Sequence, residues 1–379
     1  MRLSTFNAEN LFSRPHVMNL DKWSDGAPIL ADVARLNDLI ALDDYTPVKA
    51  EIETLLNKYR LGDDTIPPED LPFTVNQTRD KLFTTPKGTK QAALVATGRS
   101  AWVGWVELTC DDISEPAITY TGRVVVEINA DVQMLVEVED RLTLERFNEQ
   151  ILSDKSYPPR YKYSMLIDGN DPRGIAIGLL CRDPYSLVSV RSHIAEPYTD
   201  QSHRLFSRDC PEYEISGLTV DGKPADKPLI VIGNHLKSKG YGDAGTSDKK
   251  RLAQATRAAA IYAEAVERSS YVAVMGDFND CPGSKALAPL LENTDLKDVM
   301  SDPAHYADYG EYPGTYASGK TETQKIDFIL LSPELWKRVK AVGVERRGVW
   351  APQTFKSFDG MTKETAASDR AAVWVDLDI

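Results

Sequence analysis

A chain of 379 residues, 42% hydrophobic and 27% charged, has ordinary globular composition and is long enough for one large domain or two modest ones. Its formal net charge of −13 and pI near 5.0 exclude a global positive field drawing it to nucleic acid or an anionic membrane. A nucleic-acid substrate stays open, because a carboxylate-rich site approaches phosphate through bound cations. Cys110, Cys181, Cys210 and Cys281 are scattered without a CxxC pair, which argues for a reduced, intracellular protein and against structural zinc. Met1–Asn7 turns polar too soon for a signal peptide. No apolar run reaches the roughly 18 residues of a membrane helix. A soluble cytoplasmic protein with no membrane partner is expected.

Taken in chain order, Arg2–Phe6 reads as a first strand. Residues from about 14 to 100 differ from the rest: charged helical pieces at Val33–Leu42 and Val48–Tyr59, the pair Pro67-Pro68, and no strong strand. This stretch is expected to be a mainly helical insertion or subdomain. Beyond it come strand patterns at Val124–Ile128, Val132–Val138, Ile175–Cys181, Leu229–Gly233, Val272–Met275, Phe328–Leu331 and Ala372–Val375. Several are continuously apolar, as strands buried on both faces are. Helical patterns lie at Leu142–Leu152, Asp248–Glu267 and Leu287–Leu291; the second is rich in Ala, with Ser247 as candidate N-cap. Strands and helices mixed along the whole length predict an α/β protein.

Polar residues recur where the strands end, and strand ends of α/β sheets face the binding crevice. The first strand runs into Asn7-Ala8-Glu9-Asn10, and Glu137 closes an apolar strand. Leu229–Gly233 leads into Asn234-His235-Leu236-Lys237-Ser238, and Val272–Met275 into Gly276-Asp277-Phe278-Asn279-Asp280. Asp327 opens a strand, and Ser368-Asp369-Arg370 precedes the last one. A single Asx at a strand end is more often a turn former, and a lone His235 would read as a satisfied core or loop residue. As a set, Glu137, Asp277, Asn279 and Asp369 are oxygen donors of the kind Mg²⁺ or Mn²⁺ prefers.

In this order the motifs Asn7/Glu9, Glu137, Asn234-His235, Gly276-Asp277-Phe278-Asn279, Ile326-Asp327-Phe328 and Ser368-Asp369 resemble the endonuclease/exonuclease/phosphatase superfamily. The resemblance covers roughly residues 1–12 and 100–379. It implies a four-layered α/β sandwich, two mixed β-sheets face to face with helices outside. It also implies roles: Glu137 as main metal ligand supported by Asn7, with Asp369 placing the metal or its water. Asp277 would orient or deprotonate the attacking water, Asn279 would hold that water or a phosphate oxygen, and His235 would steady the phosphoryl oxygen. The implied reaction is in-line attack of water on phosphorus.

Other residues read two ways. Arg173, in Asp168-Gly169-Asn170-Asp171-Pro172-Arg173-Gly174, either belongs to a turn or makes a bidentate contact with substrate phosphate, alongside Asn234. Lys237 is expected at the solvated surface, and Arg251, Gln254 and Arg257 share a helix face expected to be solvated or ion-paired. Trp102 and Trp105 would stack on bases or, as the stronger expectation, pack in a core.

One departure matters. The family pattern after Ser-Asp is His, paired with the acid of Ile-Asp-Phe; here it is Arg370, while Asp327 is retained. None of the five histidines is an obvious substitute in sequence. Arginine stays protonated and cannot act as a general base, although it can pair with Asp327 and offset transition-state charge. General-base catalysis contributes about 10²–10⁴-fold, so its loss implies a slow enzyme rather than a dead one, and three readings of Arg370 compete: an altered mechanism, a crippled catalyst, or a single substitution in an otherwise normal active site. A smaller departure is Val136, where many relatives carry Gln before the metal-binding Glu.

Three functions therefore compete. The first is a Mg²⁺- or Mn²⁺-dependent phosphodiester hydrolase, most readily a nuclease, since Arg204-Leu205-Phe206-Ser207-Arg208-Asp209-Cys210 resembles a stretch in bacterial nuclease-like members. The second has the same chemistry on a small or lipid-derived phosphate. The third is a non-catalytic binding protein keeping the fold. The insertion is the expected specificity element.

Overall fold

The computed structural model describes residues 1–11, 15–18, 23–110, 116–153, 159–171, 173–198, 203–239, 244–306, 308, 314–317, 322–352 and 354–379. The chain divides into two compact units, Met1–Phe12 with Ile113–Ile379, and Ser13–Asp112.

The larger unit is built on two six-stranded mixed sheets. One has the order Val339–Glu345, Ala372–Leu377, Arg2–Leu11, Val132–Val138, Ala176–Cys181, Tyr163–Leu166. The other has the order Lys297–Asp298, Asp327–Leu331, Val272–Asp277, Leu229–His235, Glu212–Ser216, Ser186–Arg191. Each sheet contains one parallel pair, Arg2–Leu11 with Val132–Val138 and Leu229–His235 with Val272–Asp277, and every other pairing is antiparallel. Parallel neighbours end at the same edge, so each pair delivers two strand termini side by side.

Packing explains the continuous apolar runs. Val132, Met134 and Val136 join Val231, Ala273, Met275 and Ile329 in the core between the sheets. The alternate residues Leu135 and Val138 pack outward with Val124, Val125, Leu144 and Phe147 of helical segments. In the second sheet Ile230, Ile232, Val272 and Val274 pack outward on Ala255, Ala258 and Ile261 of the helix Ala244–Arg268. Strands clothed on both faces need no polar alternation. Each fully buried aliphatic side chain contributes about 1.5–3 kcal/mol, so the central strands are fixed by packing rather than by contacts in the site. The result is the helix–sheet–sheet–helix arrangement expected from the sequence.

Some expectations are corrected. Val124–Ile128, read as a strand from its β-branched run, closes the helix Pro116–Ile128. Thr121, Gly122, Val124, Val125 and Ile128 are buried while Val126 is exposed, which is helical spacing. Ser247 does not stand at a helix start, because the helix already begins at Ala244 and Ser247 lies buried within it. Leu142–Leu152 is a short α-helix, Arg141–Arg146, continued by a π-helical turn, Phe147–Leu152. Its first turn is capped by Asp140, whose carboxylate accepts from the Thr143 amide at 2.7 Å.

The Ser13–Asp112 unit has its own core. Helices Trp23–Ile40 and Lys49–Lys58 contribute Leu36, Leu39, Ile52 and Leu56, which pack with Phe73, Leu82 and Trp102. Its second half adds strands to two short helical turns, Pro68–Asp70 and Arg99–Ala101: Phe73–Arg79 pairs with Val103–Leu108, and Phe83–Thr84 with Ala93–Leu94. Trp102 is core, its indole Nε1 donating to the Tyr45 hydroxyl at 2.9 Å. Trp105 is not: strand alternation buries Gly104 and leaves Trp105 51% exposed. Among the described residues, no helix is long and apolar enough to cross a membrane.

Candidate active site

The two parallel pairs bring Asn7, Glu137, His235 and Asp277 together. In the second sheet His235 pairs in register with Asp277, and Asp277 with Asp327, so three chemically active residues lie on adjacent strands. In the first sheet Asn7 pairs with Val136, and register shifts in both neighbouring pairings mark a bulge at Glu137. Glu137 has φ +67°, Glu9 +48° and Asn279 +53°, conformations uncommon for residues with a side chain. Positive φ clusters where a strand end turns to aim a side chain, as functional sites often require.

Gly276 explains how the second pair closes. Its φ is +134°, and a Cβ there would lie 2.0 Å from the Asn234 carbonyl oxygen. Only glycine lets the Asp277 strand approach its neighbour this closely.

Asn7 joins the sheets. Its Nδ2 donates to Glu137 Oε1 at 3.1 Å and to Asp277 Oδ2 at 3.0 Å, while its Oδ1 accepts from the Glu9 amide at 3.0 Å. Glu9 in turn accepts from the Asp369 amide at 2.7 Å, and Ser368 Oγ donates to the Asn7 carbonyl at 2.7 Å. The C-terminal Ser368-Asp369 is thereby pinned to the end of the first strand. Asp277 Oδ1 accepts from the Asn279 amide at 2.7 Å, and Asn279 Nδ2 donates to the Leu236 carbonyl at 3.1 Å.

Arg370 sits among acids and is 11% exposed. Its guanidinium lies 2.6 Å from Asp369 Oδ1, 3.5 Å from Asp277 Oδ2 and 3.9 Å from Asp327 Oδ2, and 4.4 Å above the Tyr316 ring. Burial alone would lower its pKa, but Asp277, Asp327 and Asp369 together raise it, so it is always charged. The Asp327–Arg370 pairing expected from the sequence is present as a long contact, and it is shared with two further carboxylates.

The acids carry the mark of this crowding. Burial pushes the carboxyls of Glu137, Asp369 and Glu9 above their ordinary values. Asp327 is pushed well up, first by burial and then by Asp277, with Arg370 and a 2.7 Å hydrogen bond from Thr315 Oγ1 opposing. His235 is driven well below its usual value by burial and by Arg208 and Arg370, so it is neutral. Its Nε2 lies 3.7 Å from Glu137 Oε1, while its Nδ1 and the neighbouring Asn234 Nδ2 are buried without a hydrogen-bond partner.

Oxygen-only donors fit a hard divalent cation, and such an ion would offset the burial that raises the carboxyls of Glu137 and Asp369. Among the described residues no three His, Cys, Asp or Glu side chains form a ready-made cage. An ion held by Glu137, Asp369 and the second lone pair of Asn7 would keep several waters, as Mg²⁺ does.

Three sequence expectations meet a different environment. The guanidinium fork of Arg173 is engaged by Asp171, at 3.0 and 2.8 Å, and is half exposed. Lys237 is half-buried instead of solvated. Arg251 and Gln254 are 0% exposed: Arg251 Nε bonds Asp280 at 3.0 Å and its Nη1 the Lys237 carbonyl at 2.5 Å, while Gln254 accepts from the Lys237 amide. Arg257 is ion-paired, to Glu196 at 2.7 Å. Sequence reasoning does not single out Thr315 or the buried Arg208. The signal for Arg208 is the 204–210 stretch that carries it; Thr315 has none.

A family model described as "Endonuclease/Exonuclease/phosphatase family" matches residues 115–365. Asn7 and Ser368–Arg370 lie outside that span, and the geometry above ties them to it. Among solved structures, an endonuclease/exonuclease/phosphatase family protein from Bacteroides thetaiotaomicron is 15% identical with TM-score 0.49, over 68% of this chain and 85% of that one. Truncated TDP2 from Caenorhabditis elegans is 15% identical with TM-score 0.45, over 68% and 88%. The mannosyl-6-phosphatase of B. thetaiotaomicron is 14% identical with TM-score 0.49, over 69% and 91%. A comparison with curated proteins returned no match. With its model spanning more than half of the sequence, the chain belongs to the endonuclease/exonuclease/phosphatase family, whose members are generally phosphoester hydrolases.

Proposed function

We propose that the chain is a divalent-cation-dependent phosphodiester hydrolase acting on nucleic acid, slowed by Arg370. The observation that carries this reading is the meeting of Asn7, Glu137, His235, Asp277 and Asp327 at the ends of adjacent strands. Glu137 and Asp369, with Asn7, would hold Mg²⁺ or Mn²⁺, which supplies Lewis-acid stabilisation of phosphoryl charge when bound. The neutral His235 and Asn234 have buried N–H capacity to offer a phosphoryl oxygen, and unpartnered buried donors are strong only when a substrate fills them. Asp277, held by Asn7 and the Asn279 amide, orients the attacking water. Its proton goes to a carboxylate of the Asp277–Asp327 pair, because Arg370 has no vacant lone pair to receive it. Arg370 instead offsets charge developing on the equatorial oxygens.

A second reading, a phosphoester-binding protein without turnover, is favoured by one feature: the Arg370 guanidinium already compensates three carboxylates.

The test is hydrolysis of plasmid DNA and of a simple aryl phosphodiester, by the chain and by Arg370→His, with Mg²⁺, Mn²⁺ or EDTA. A metal-dependent rate that rises about 10²–10⁴-fold in Arg370→His supports the hydrolase. Absence of turnover in both proteins on both substrates removes the nuclease reading and leaves the binding protein or a specialised phosphatase.

A further inference from the structure

In the smaller unit, the two-stranded ribbon of Phe73–Arg79 and Val103–Leu108 has one covered face and one open face. Phe73, Val75, Val106 and Leu108 pack into that unit's core. The open face carries Thr74, Asn76, Val103, Trp105 and Glu107, with Trp105 opposite Asn76 and Glu107 opposite Thr74. Trp105 is 51% exposed and Val103 41%. An exposed apolar side chain needs no explanation by itself, but two further features single this one out.

The first is a bulge. Phe73 and Val75 pack inward, and unbroken alternation would send Arg79 the same way. Instead the register shifts between Gln77 and Arg79, so that Arg79 stands opposite Val103. The Thr78 hydroxyl donates to the Val103 carbonyl at 3.0 Å across the irregularity. Bulges re-aim side chains in this manner, and here the exposed side chain of Arg79 is turned to the face that holds Trp105.

The second is charge. From Phe73 to Trp105 stand Arg79, Lys81, Lys87, Lys90 and Arg99 against Asp80 alone, in a chain whose net charge is −13. Lys90 is paired with Asp63, and Arg99 donates to the Trp102 and Gly104 carbonyls. Arg79, Lys81 and Lys87 are exposed and make no ion pair with a described residue. Glu107, the acid of the open face, is bonded by the Asn76 side-chain amide.

The spacing suits a nucleotide. Val103, which Arg79 faces, lies two residues from Trp105, about 7 Å along the strand. A base lying on the indole would therefore set its phosphate within reach of the guanidinium, with Lys81 two residues further on. Neither contact depends on base identity. Thr74 and Asn76 flank the ring with hydrogen-bonding groups, whereas a lipid surface calls for a broader apolar face.

We propose that Trp105, Arg79 and Lys81 form a docking face for single-stranded nucleic acid, in addition to the site at the strand ends. The choice of occupant rests on the nucleic-acid reading above, and the face supplies a positive surface that the chain as a whole lacks.

Binding tests this without turnover. Fluorescence anisotropy of the full chain in EDTA would use a labelled oligodeoxythymidylate of about 12 nucleotides and an abasic oligomer of the same length. Trp105→Ala should weaken oligodeoxythymidylate binding about tenfold, and Trp105→Phe, which keeps a ring, less than about threefold. On the abasic oligomer Trp105→Ala should cost less than about twofold, since no base is left to stack. Arg79→Gln/Lys81→Gln should make the slope of log affinity against log salt shallower by about 1.4, the value for two phosphate contacts on a single strand. Equal affinity of Trp105→Ala and the unmodified chain for oligodeoxythymidylate, or an unchanged salt slope in the double variant, overturns the docking face. Self-association or binding to phosphatidylserine vesicles that depends on Trp105, with no such dependence for the oligonucleotide, overturns it in favour of a second copy or a membrane. Trp105-dependent binding by a chain that hydrolyses neither plasmid DNA nor an aryl phosphodiester supports the face and removes turnover alone. Metal-dependent DNA hydrolysis without Trp105-dependent binding removes the face and keeps the hydrolase.

Discussion

The side-chain amide of Asn7, in one sheet, donates to the carboxylate of Asp277, in the other, at 3.0 Å, and the same nitrogen serves Glu137 at 3.1 Å. One buried donor therefore fixes the spacing between a candidate metal ligand and the acid that would position water. Asn7→Ala should destabilise the fold by about 1–3 kcal/mol, because two carboxylates lose their donor. Asn7→Asp should be worse than Asn7→Ala, since it sets a third carboxylate between them. Urea unfolding at neutral pH gives the order; an Asp variant more stable than the Ala variant would contradict the bridging role.

Much of this site is legible in the amino-acid sequence, for a physical reason. Strands clothed on both faces read as unbroken apolar runs, and each run ends on a polar residue that has no use in packing: Asn7, Glu137, His235, Asp277. What is not legible depends on partners remote in sequence. The buried charge of Arg208 is intelligible only beside Asp171, and Thr315 only where it reaches Asp327. The strand Glu212–Ser216 is disguised by Glu212, which is buried because Arg268, Arg191 and His193 surround it. Val124–Ile128 misleads in the opposite sense, since its β-branched run is overruled by packing on one helical face.

Arg370→Met keeps the volume of the side chain and removes its charge. Asp277, Asp327 and Asp369 would then face one another uncompensated, and breaking a buried ion cluster this way costs about 3–5 kcal/mol. The sign with pH follows from Asp327, whose pKa is already raised by burial and by Asp277 and would rise further. A carboxyl with a raised folded pKa loses stability as pH climbs through that value. The deficit of Arg370→Met should therefore be larger at about pH 8 than at about pH 5 in urea unfolding. A pH-independent deficit would show that the loss is packing alone.

Asp171 gives the converse pH dependence. Burial would raise its pKa, yet the hydrogen bonds from Arg173 and the charge of Arg208 bring it down to about 2. A depressed carboxyl contributes stability above its unfolded value near 3.8, and the contribution is lost as pH falls through about 2. Asp171→Asn should destabilise by roughly 2 kcal/mol at neutral pH, and the gap should narrow between about pH 4 and about pH 2. An unchanged gap over that range would mean that Asp171 acts by hydrogen bonding and not by charge.

Gly276→Ala tests the close approach of the two parallel strands in the second sheet. The added methyl would meet the Asn234 carbonyl oxygen at 2.0 Å, and the φ of +134° is itself unfavourable for alanine. Either the strand carrying Asp277 moves away from that carrying His235, or the backbone refolds locally. Strain of this kind costs on the order of 1–3 kcal/mol before the clash is counted, so a Tm lowered by several degrees is expected. Movement at this point would also separate His235 from Asp277, which face each other in register. Any metal-dependent hydrolysis should then fall by more than the loss of folded protein explains, and a variant with full stability and full rate would show that this glycine is dispensable.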